Sequence, residues 1–97
     1  MSKWYISGKV TGDPDYRRKF KKAENKLRAE GLEVCNPVEG EEEGHEWNYY
    51  LKKDIRKLLD CDGIYFLSDW CDSKGAELEF RVAMALDYPH RFETEEE

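Results

Sequence analysis

The sequence is poor in the residues that build disulfide-linked or metal-held frameworks. Its 97 residues include 3 cysteines and 2 histidines, and no two cysteines have CxxC spacing. An odd number of cysteines without such spacing indicates neither a disulfide framework nor a zinc site, so we expect Cys35, Cys61 and Cys71 to be reduced thiols. His45 and His90 stand alone in the sequence, which gives no sign of a metal, and we expect no cofactor.

Long apolar segments and a surplus of positive charge are also missing. No stretch approaches the roughly 20 apolar residues that a membrane span needs, and the first residues contain no hydrophobic signal core. The chain has 16 basic against 22 acidic residues, a formal net charge of −6. Its densest basic run, residues 17–22, lies on one predicted helix, where we interpret it as a solvated face. We therefore expect a cytoplasmic protein with neither a nucleic acid nor a membrane partner.

Strand and helix patterns alternate along the whole chain. A chain of 97 residues has room for one core, so we predict one domain over residues 1–97, with residues 93–97 as a frayed acidic tail. The predicted strands are residues 3–8, 32–36, 62–67 and, as a short fourth strand, 90–92; the predicted helices are residues 13–31, 46–60 and 75–87. This order predicts an α/β fold, a doubly wound, flavodoxin- or Rossmann-like parallel sheet of three or four strands flanked by helices.

In such sheets the ligand site lies beyond the carboxyl ends of the strands, so the loops after the first and third strands should line it. Ser7, Gly8 and Lys9 follow the first strand, and the turn containing Ser73 and Gly75 precedes the third helix. Each loop has amides and a hydroxyl group that suit a phosphate. Both short motifs are also common in ordinary turns, so this interpretation stays open.

Two acidic residues fall on the apolar arcs of predicted helices. In a helical projection Glu79 lies among the apolar residues of the third helix, and Asp54 among those of the second. Burying a carboxylate costs free energy, so such positions need a reason. Glu79 lies about one turn into its helix, where free amides and the macrodipole favour an ionised carboxylate suited to a nucleophile. Alternatively, both are ordinary helix carboxylates at the edge of a face.

Together these residues resemble the nucleoside 2-deoxyribosyltransferase family and its small relatives, the 2'-deoxynucleoside 5'-phosphate N-hydrolases. The similarity runs from about residue 4 to residue 86 and is nearest to a small phage and bacterial branch. It includes Tyr5 at the first strand end, Asp54, and the Gly75-Ala-Glu-Leu-Glu79 motif, in which a glycine stands four residues before a glutamate. The resemblance implies the same fold and cleavage of an N-glycosidic bond.

The resemblance also implies roles for individual residues. Glu79 takes the position of the nucleophile that attacks the anomeric carbon. Asp54 takes that of an aspartate that supports the sugar and the catalytic groups, and Tyr5 that of a tyrosine that orients the nucleophile. The nucleotide hydrolases carry a serine where this sequence has Ser73, and that serine helps bind the 5'-phosphate across a dimer interface.

The sequence departs from both branches. Gly8 matches the phosphate-loop glycine of the nucleotide hydrolases, but Thr11 replaces the arginine that follows in that branch. The transferases use additional residues beyond the matched region, so we expect hydrolysis rather than transfer. A domain of this size encloses a ligand most readily between subunits, so we also expect a homo-oligomer.

Three classes of function stay open at this point. An enzyme would act on a small-molecule nucleoside or nucleotide, with Ser73, Gly8 and Lys9 at the phosphate and Trp70 or Trp47 over the base. A binding module would keep the pocket and hold such a ligand without turning it over. A structural or interaction protein would have a vestigial site, with a basic side chain folded over the glutamate and no cavity.

Overall fold

Four strands and three helices alternate along the chain in a computed structural model that describes residues 2–93. The strands are β1 (Lys3–Ser7), β2 (Glu33–Cys35), β3 (Gly63–Phe66) and β4 (His90–Phe92), and the helices are α1 (Tyr16–Ala29), α2 (Trp47–Leu59) and α3 (Lys74–Ala85). A short 3₁₀ turn, Trp70–Asp72, lies between β3 and α3. The short fourth strand is therefore confirmed.

The strands form one parallel sheet in the order β2-β1-β3-β4. Tyr5 of β1 is in register with Cys35 on one side and Ile64 on the other. This order confirms the doubly wound α/β fold, since the chain moves to one edge of the sheet first and then to the other. The switch lies at β1 and β3, where a crevice opens at the carboxyl ends of the strands.

The core has two parts, one on each face of the sheet. Alternate residues of a strand point to opposite faces, and β3 is buried along its whole length, as expected of a central parallel strand. One cluster packs against α1 and the other against α2 and α3; their buried members include Ile6, Phe20, Leu27, Val34 and Tyr65 in the first and Tyr5, Leu58, Ile64, Phe66 and Ala83 in the second.

Helix boundaries differ slightly from the predicted ones. α1 begins at Tyr16 rather than at the predicted Asp13-Pro14 cap, because the Asp13 carboxylate accepts hydrogen bonds from the Asp15 amide (2.9 Å) and the Lys19 ammonium (2.7 Å) and holds a turn there. α3 begins one residue before the predicted Gly75. Its cap is Ser73, whose hydroxyl oxygen accepts a hydrogen bond from the Ala76 amide at 3.1 Å.

The predicted apolar arcs of α2 and α3 are wider than the surface that the sheet covers. Trp47 and Leu59 of α2 are 46% and 53% exposed, and Leu78 and Leu86 of α3 are 39% and 48% exposed. Only residues nearest the sheet, such as Leu58, are fully buried. The helical projection therefore predicted the burial of Leu58 and Ala83 correctly and overestimated that of Trp47, Leu59 and Leu86.

The start of the predicted tail contacts the domain. Glu93 accepts a hydrogen bond from the Ser68 amide at 2.9 Å, so this residue is not frayed. Residues 94–97 of the predicted tail lie outside the described residues. Within residues 2–93, no helix is both long enough and apolar enough to span a membrane.

Candidate functional site

A cavity of about 710 Å³ opens at the carboxyl ends of the strands. Its walls come from the loop after β1 (residues 8–11), the loop after β2 (residues 41–44) and the first turns of α2 and α3. The predicted contribution of the loops after the first and third strands is confirmed. The acidic loop after β2 also lines the cavity, which the sequence patterns did not predict.

Glu79 lies in the wall of this cavity and is only 5% exposed. The Tyr5 hydroxyl donates a hydrogen bond to Glu79 Oε2 at 2.6 Å, and the Ser7 hydroxyl donates one to Oε1 at 2.7 Å. Tyr5 and Ser7 reach the same carboxylate because they are two residues apart on β1 and therefore share a face of the sheet. The Ser7 hydroxyl thus binds the candidate nucleophile. Ser7 itself is not among the residues that line the cavity, so it is not placed as a ligand contact.

The ionisation of Glu79 is finely balanced. Burial raises its pKa to about 7, although the hydrogen bonds from Tyr5 and Ser7 act to lower it. A position near the start of a helix favours the ionised form of a carboxyl group, but at Glu79 desolvation outweighs that effect. At neutral pH the protonated and ionised forms therefore coexist.

Asp54 of α2 lines the same cavity. Burial, together with the charges of Glu79 and Glu41, raises the pKa of Asp54 to about 8. Its Oδ1 atom is fully buried and has no hydrogen-bond partner within residues 2–93. Asp54 is therefore mainly protonated at neutral pH, so the site holds one neutral carboxyl group beside one that titrates near neutrality.

Gly8 and Gly75 differ in whether packing within the protein requires a glycine. A Cβ atom on Gly8 would lie 2.6 Å from Leu67 Cδ1, so packing within the protein already requires glycine there. A Cβ atom on Gly75 would come no closer than 3.9 Å to Leu51. Packing within the described residues therefore does not explain Gly75, which lines the cavity at the start of α3, next to the cap Ser73.

The loop after β1 is anchored to the protein. The Lys9 amide donates a hydrogen bond to Asp69 Oδ1 at 3.0 Å, and the Lys19 ammonium contacts Asp69 Oδ2 at 3.2 Å. The amide of Lys9 is therefore occupied, although its residue lines the cavity as predicted.

The aromatic wall of the cavity contains Trp47, not Trp70. Trp70 packs against Phe66, Phe80 and Phe92, with its ring centroid 4.9 Å from that of Phe80, and it is not among the cavity-lining residues. Of the two tryptophans predicted to cover a base, Trp70 therefore lies outside the cavity, because it packs against its aromatic neighbours from its place in the 3₁₀ turn. Trp47 is half-exposed and lines the cavity.

The acidic loop after β2 is anchored by side chains of α2 and α1. The Tyr50 hydroxyl of α2 donates a hydrogen bond to the Glu42 carbonyl at 2.6 Å and accepts one from the His45 amide at 3.2 Å. The Arg17 guanidinium of α1 lies 3.8 Å from the Glu43 carboxylate. Its acidic composition alone indicates a polar loop, and the sequence signal for its anchoring is the aromatic pair Tyr49 and Tyr50 near the start of α2.

Comparison with known proteins gives a family but no activity. Within the described residues, no cluster of His, Cys, Asp and Glu side chains could hold a metal ion. No curated protein matches the chain. A family model described as a domain of unknown function, DUF4406, matches residues 2–89, which is most of the chain. The protein with this carboxylate-lined cavity therefore belongs to the DUF4406 family.

Proposed function

We propose that this protein hydrolyses the N-glycosidic bond of a deoxynucleoside or deoxynucleotide, with Glu79 as the nucleophile. The observation that carries the proposal is the buried Glu79 carboxylate, held by two hydroxyl groups in the wall of a cavity of about 710 Å³. Within residues 2–93 no basic side chain is a hydrogen-bond partner of this carboxylate, so the charge of its ionised form is not neutralised and can act on a ligand. The cavity and the absence of such a partner argue against a vestigial site.

The reaction follows from the two carboxyl groups. An ionised Glu79 oxygen attacks the anomeric carbon as the bond from that carbon to the base nitrogen breaks, and the base leaves with the electron pair. Asp54, protonated at neutral pH, can supply the proton that the leaving base takes up. Water then attacks the glycosyl ester, which releases the sugar and restores Glu79, while its proton returns to Asp54.

The rest of the cavity suits the other parts of a nucleoside or nucleotide. Ser73 and Gly75 lie at the start of α3, where the helix macrodipole favours an anion such as a 5'-phosphate. The Ser73 hydroxyl oxygen accepts from the Ala76 amide, so its proton stays available to a ligand. Lys9 and Lys74 line the cavity and supply positive charge, and Trp47 offers a face for the base.

A binding module without turnover is the second candidate. It is favoured by the pKa of Glu79, because a carboxyl group raised to about 7 is only partly ionised at neutral pH. This alternative predicts ligand retention without release of free base. It also predicts that Glu79→Gln leaves binding unchanged.

The assembly and location form part of the proposal. Large apolar side chains of α2 and α3 are exposed, and we expect a second copy of the chain to cover part of them: Trp47, Leu59, Leu78 and Leu86. Light scattering on the intact protein tests for a homo-oligomer, and a mass of 11.5 kDa would reject it. The free thiols of Cys35, Cys61 and Cys71 agree with the cytoplasm as the location.

The decisive experiment follows free base by chromatography. The wild-type protein is incubated with ribo- and deoxyribonucleosides and their 5'-monophosphates, beside Glu79→Ala and the control Glu77→Ala, which alters an exposed glutamate of the same helix. We expect base release by the wild type and the control and none by Glu79→Ala. Ligand binding without release would favour the binding module, and release by Glu79→Ala would reject the proposed nucleophile.

A further inference from the structure

Glu41 and Asp54 share a feature that the proposed reaction does not use. Each lines the cavity and has one fully buried carboxyl oxygen, Glu41 Oε2 and Asp54 Oδ1, without a hydrogen-bond partner in the described part of the chain. Glu79 differs, since both of its oxygens accept hydrogen bonds. A buried oxygen without a donor costs free energy, which a ligand that supplies N–H groups would recover.

Glu41 and Glu79 line the cavity from different elements, the loop after β2 and α3. Asp54 responds to the charges of both Glu79 and Glu41, which raise its pKa. The sugar must lie at Glu79, because the nucleophile attacks the anomeric carbon. Glu41 comes from a different wall, the loop after β2, so it suits the part of the ligand that leaves rather than the part that is attacked.

The loop that carries Glu41 also lies beside aromatic side chains. The Tyr50 hydroxyl holds this loop through the Glu42 carbonyl at 2.6 Å, and Tyr50 and Trp47 belong to the same turn of α2 and the same cavity wall. A planar base stacked on such a wall would present its edge, not its face, to a neighbouring carboxylate. Glu41 is thus in position to recognise the edge of a base.

We propose that Glu41 selects ligands whose base carries a ring N–H next to an exocyclic amino group, as in guanine. An ionised carboxylate is an acceptor with two oxygens, and two parallel N–H donors match it. A base edge that presents a carbonyl oxygen or an unprotonated ring nitrogen would instead face it with lone pairs. This inference rests on the proposed function, which places a base-bearing ligand in the cavity with its sugar at Glu79.

The test measures binding of bases that cannot be cleaved. 9-Methylguanine and 9-methylhypoxanthine lack a glycosidic bond and differ in the exocyclic amino group. Calorimetric titration at pH 7 should show that the wild-type protein binds 9-methylguanine about tenfold more tightly. Glu41→Gln should bring the two affinities to within about twofold of each other, because the amide has only one acceptor oxygen.

A matched control separates the charge of the loop from the contact. Glu39→Gln removes the same charge two residues away, on a side chain that is 61% exposed, lies outside the cavity lining and is paired with Lys21. We expect this variant to keep the wild-type preference. Equal binding of the two bases by the wild type, no binding of either, or a preference that survives in Glu41→Gln would each overturn the inference.

Failure of the inference and failure of the proposed hydrolysis remain distinguishable. A guanine preference that depends on Glu41, together with no base release from any nucleoside or nucleotide, would support the inference and reject hydrolysis. Base release that requires Glu79, without any preference between the two methylated bases, would do the reverse.

Discussion

Glu24 of α1 and Glu79 of α3 are equally buried, with 5% of each residue exposed, yet the pKa values of their carboxyl groups move in opposite directions. Burial acts to raise the pKa of Glu24, but hydrogen bonds from Arg28, Asn36 and Lys21 lower it to about 2. Burial raises the pKa of Glu79 to about 7, and only two neutral hydroxyl groups oppose it. Burial alone therefore does not decide the state of a carboxyl group.

The partners explain the difference. Glu24 contacts two cations on its own helix, Arg28 at 2.8 Å and Lys21 at 3.2 Å, both of which reach it from the solvent. Its charge is neutralised within the protein, so it has nothing left to offer a ligand. Within the described part of the chain no cation pairs with Glu79, which opens on a cavity. A buried carboxylate that lacks a cation is the better candidate for chemistry.

The largest expected difference between the two glutamates is in the rate of base release after each carboxylate is replaced by an amide. Glu79→Gln should lower base release by at least about 10³-fold, because an amide does not form the glycosyl ester. Glu24→Gln should leave the rate within about twofold of the wild type. Chromatographic rates on both purified variants check this, and equal losses would mean that Glu79 acts only through the fold.

For the free energy of unfolding, Glu24 should matter more than Glu79, and the contribution of Glu24 should depend on pH. The folded-state pKa of Glu24 lies below its ordinary value of 4.5, at about 2, so its stabilising contribution is present above about pH 4.5 and is lost as the pH falls toward 2. Glu24→Gln should therefore lower the free energy of unfolding by about 1–3 kcal/mol at pH 7 and by less at pH 3. Urea denaturation at the two pH values measures this. A loss that is the same at both would contradict the ion-pair explanation.

Asp54 should have the opposite pH dependence. Its folded-state pKa of about 8 lies above the ordinary 3.8, so between these values the folded chain holds a proton that the unfolded chain has released. The free energy of unfolding should therefore fall as the pH rises from about 4 to about 8, and Asp54→Asn should remove part of that fall. Thermal melts across this range test it, with Glu46→Gln, an exposed position at the start of α2, as the control. Parallel curves for Asp54→Asn and wild type would reject it.

The smallest effect concerns the hydroxyl groups on Glu79. The hydrogen bond from Tyr5 lowers the pKa of Glu79, so Tyr5→Phe should raise that pKa and move the acid limb of base release to higher pH. We expect a rate loss of about fivefold at pH 7 and recovery at higher pH. A loss that is independent of pH would mean that the Tyr5 hydroxyl positions Glu79 without changing its ionisation.

Part of this comparison could be read from the sequence. Lys21 and Arg28 stand three residues before and four residues after Glu24, the spacing of helical ion pairs, whereas no basic residue has that spacing around Glu79. Helical projection also put Glu79 and Asp54 on the apolar arcs of their helices, and both line the cavity. The packing of Trp70 outside the cavity was not predictable, because the sequence does not show on which side of a loop an aromatic residue will pack.

The sequence by itself determined the parallel α/β fold, the order of its elements and the helix faces that carry Asp54 and Glu79, because hydrophobic periodicity and turn residues act over a few neighbouring positions. The tertiary structure alone decided which side chains meet. It brought Tyr5 and Ser7 to a glutamate more than 70 residues away, placed the acidic loop after β2 in the cavity wall, and set the pKa values of Asp54 and Glu79. Burial and charge depend on groups that are distant in the chain, so only the packed domain fixes them.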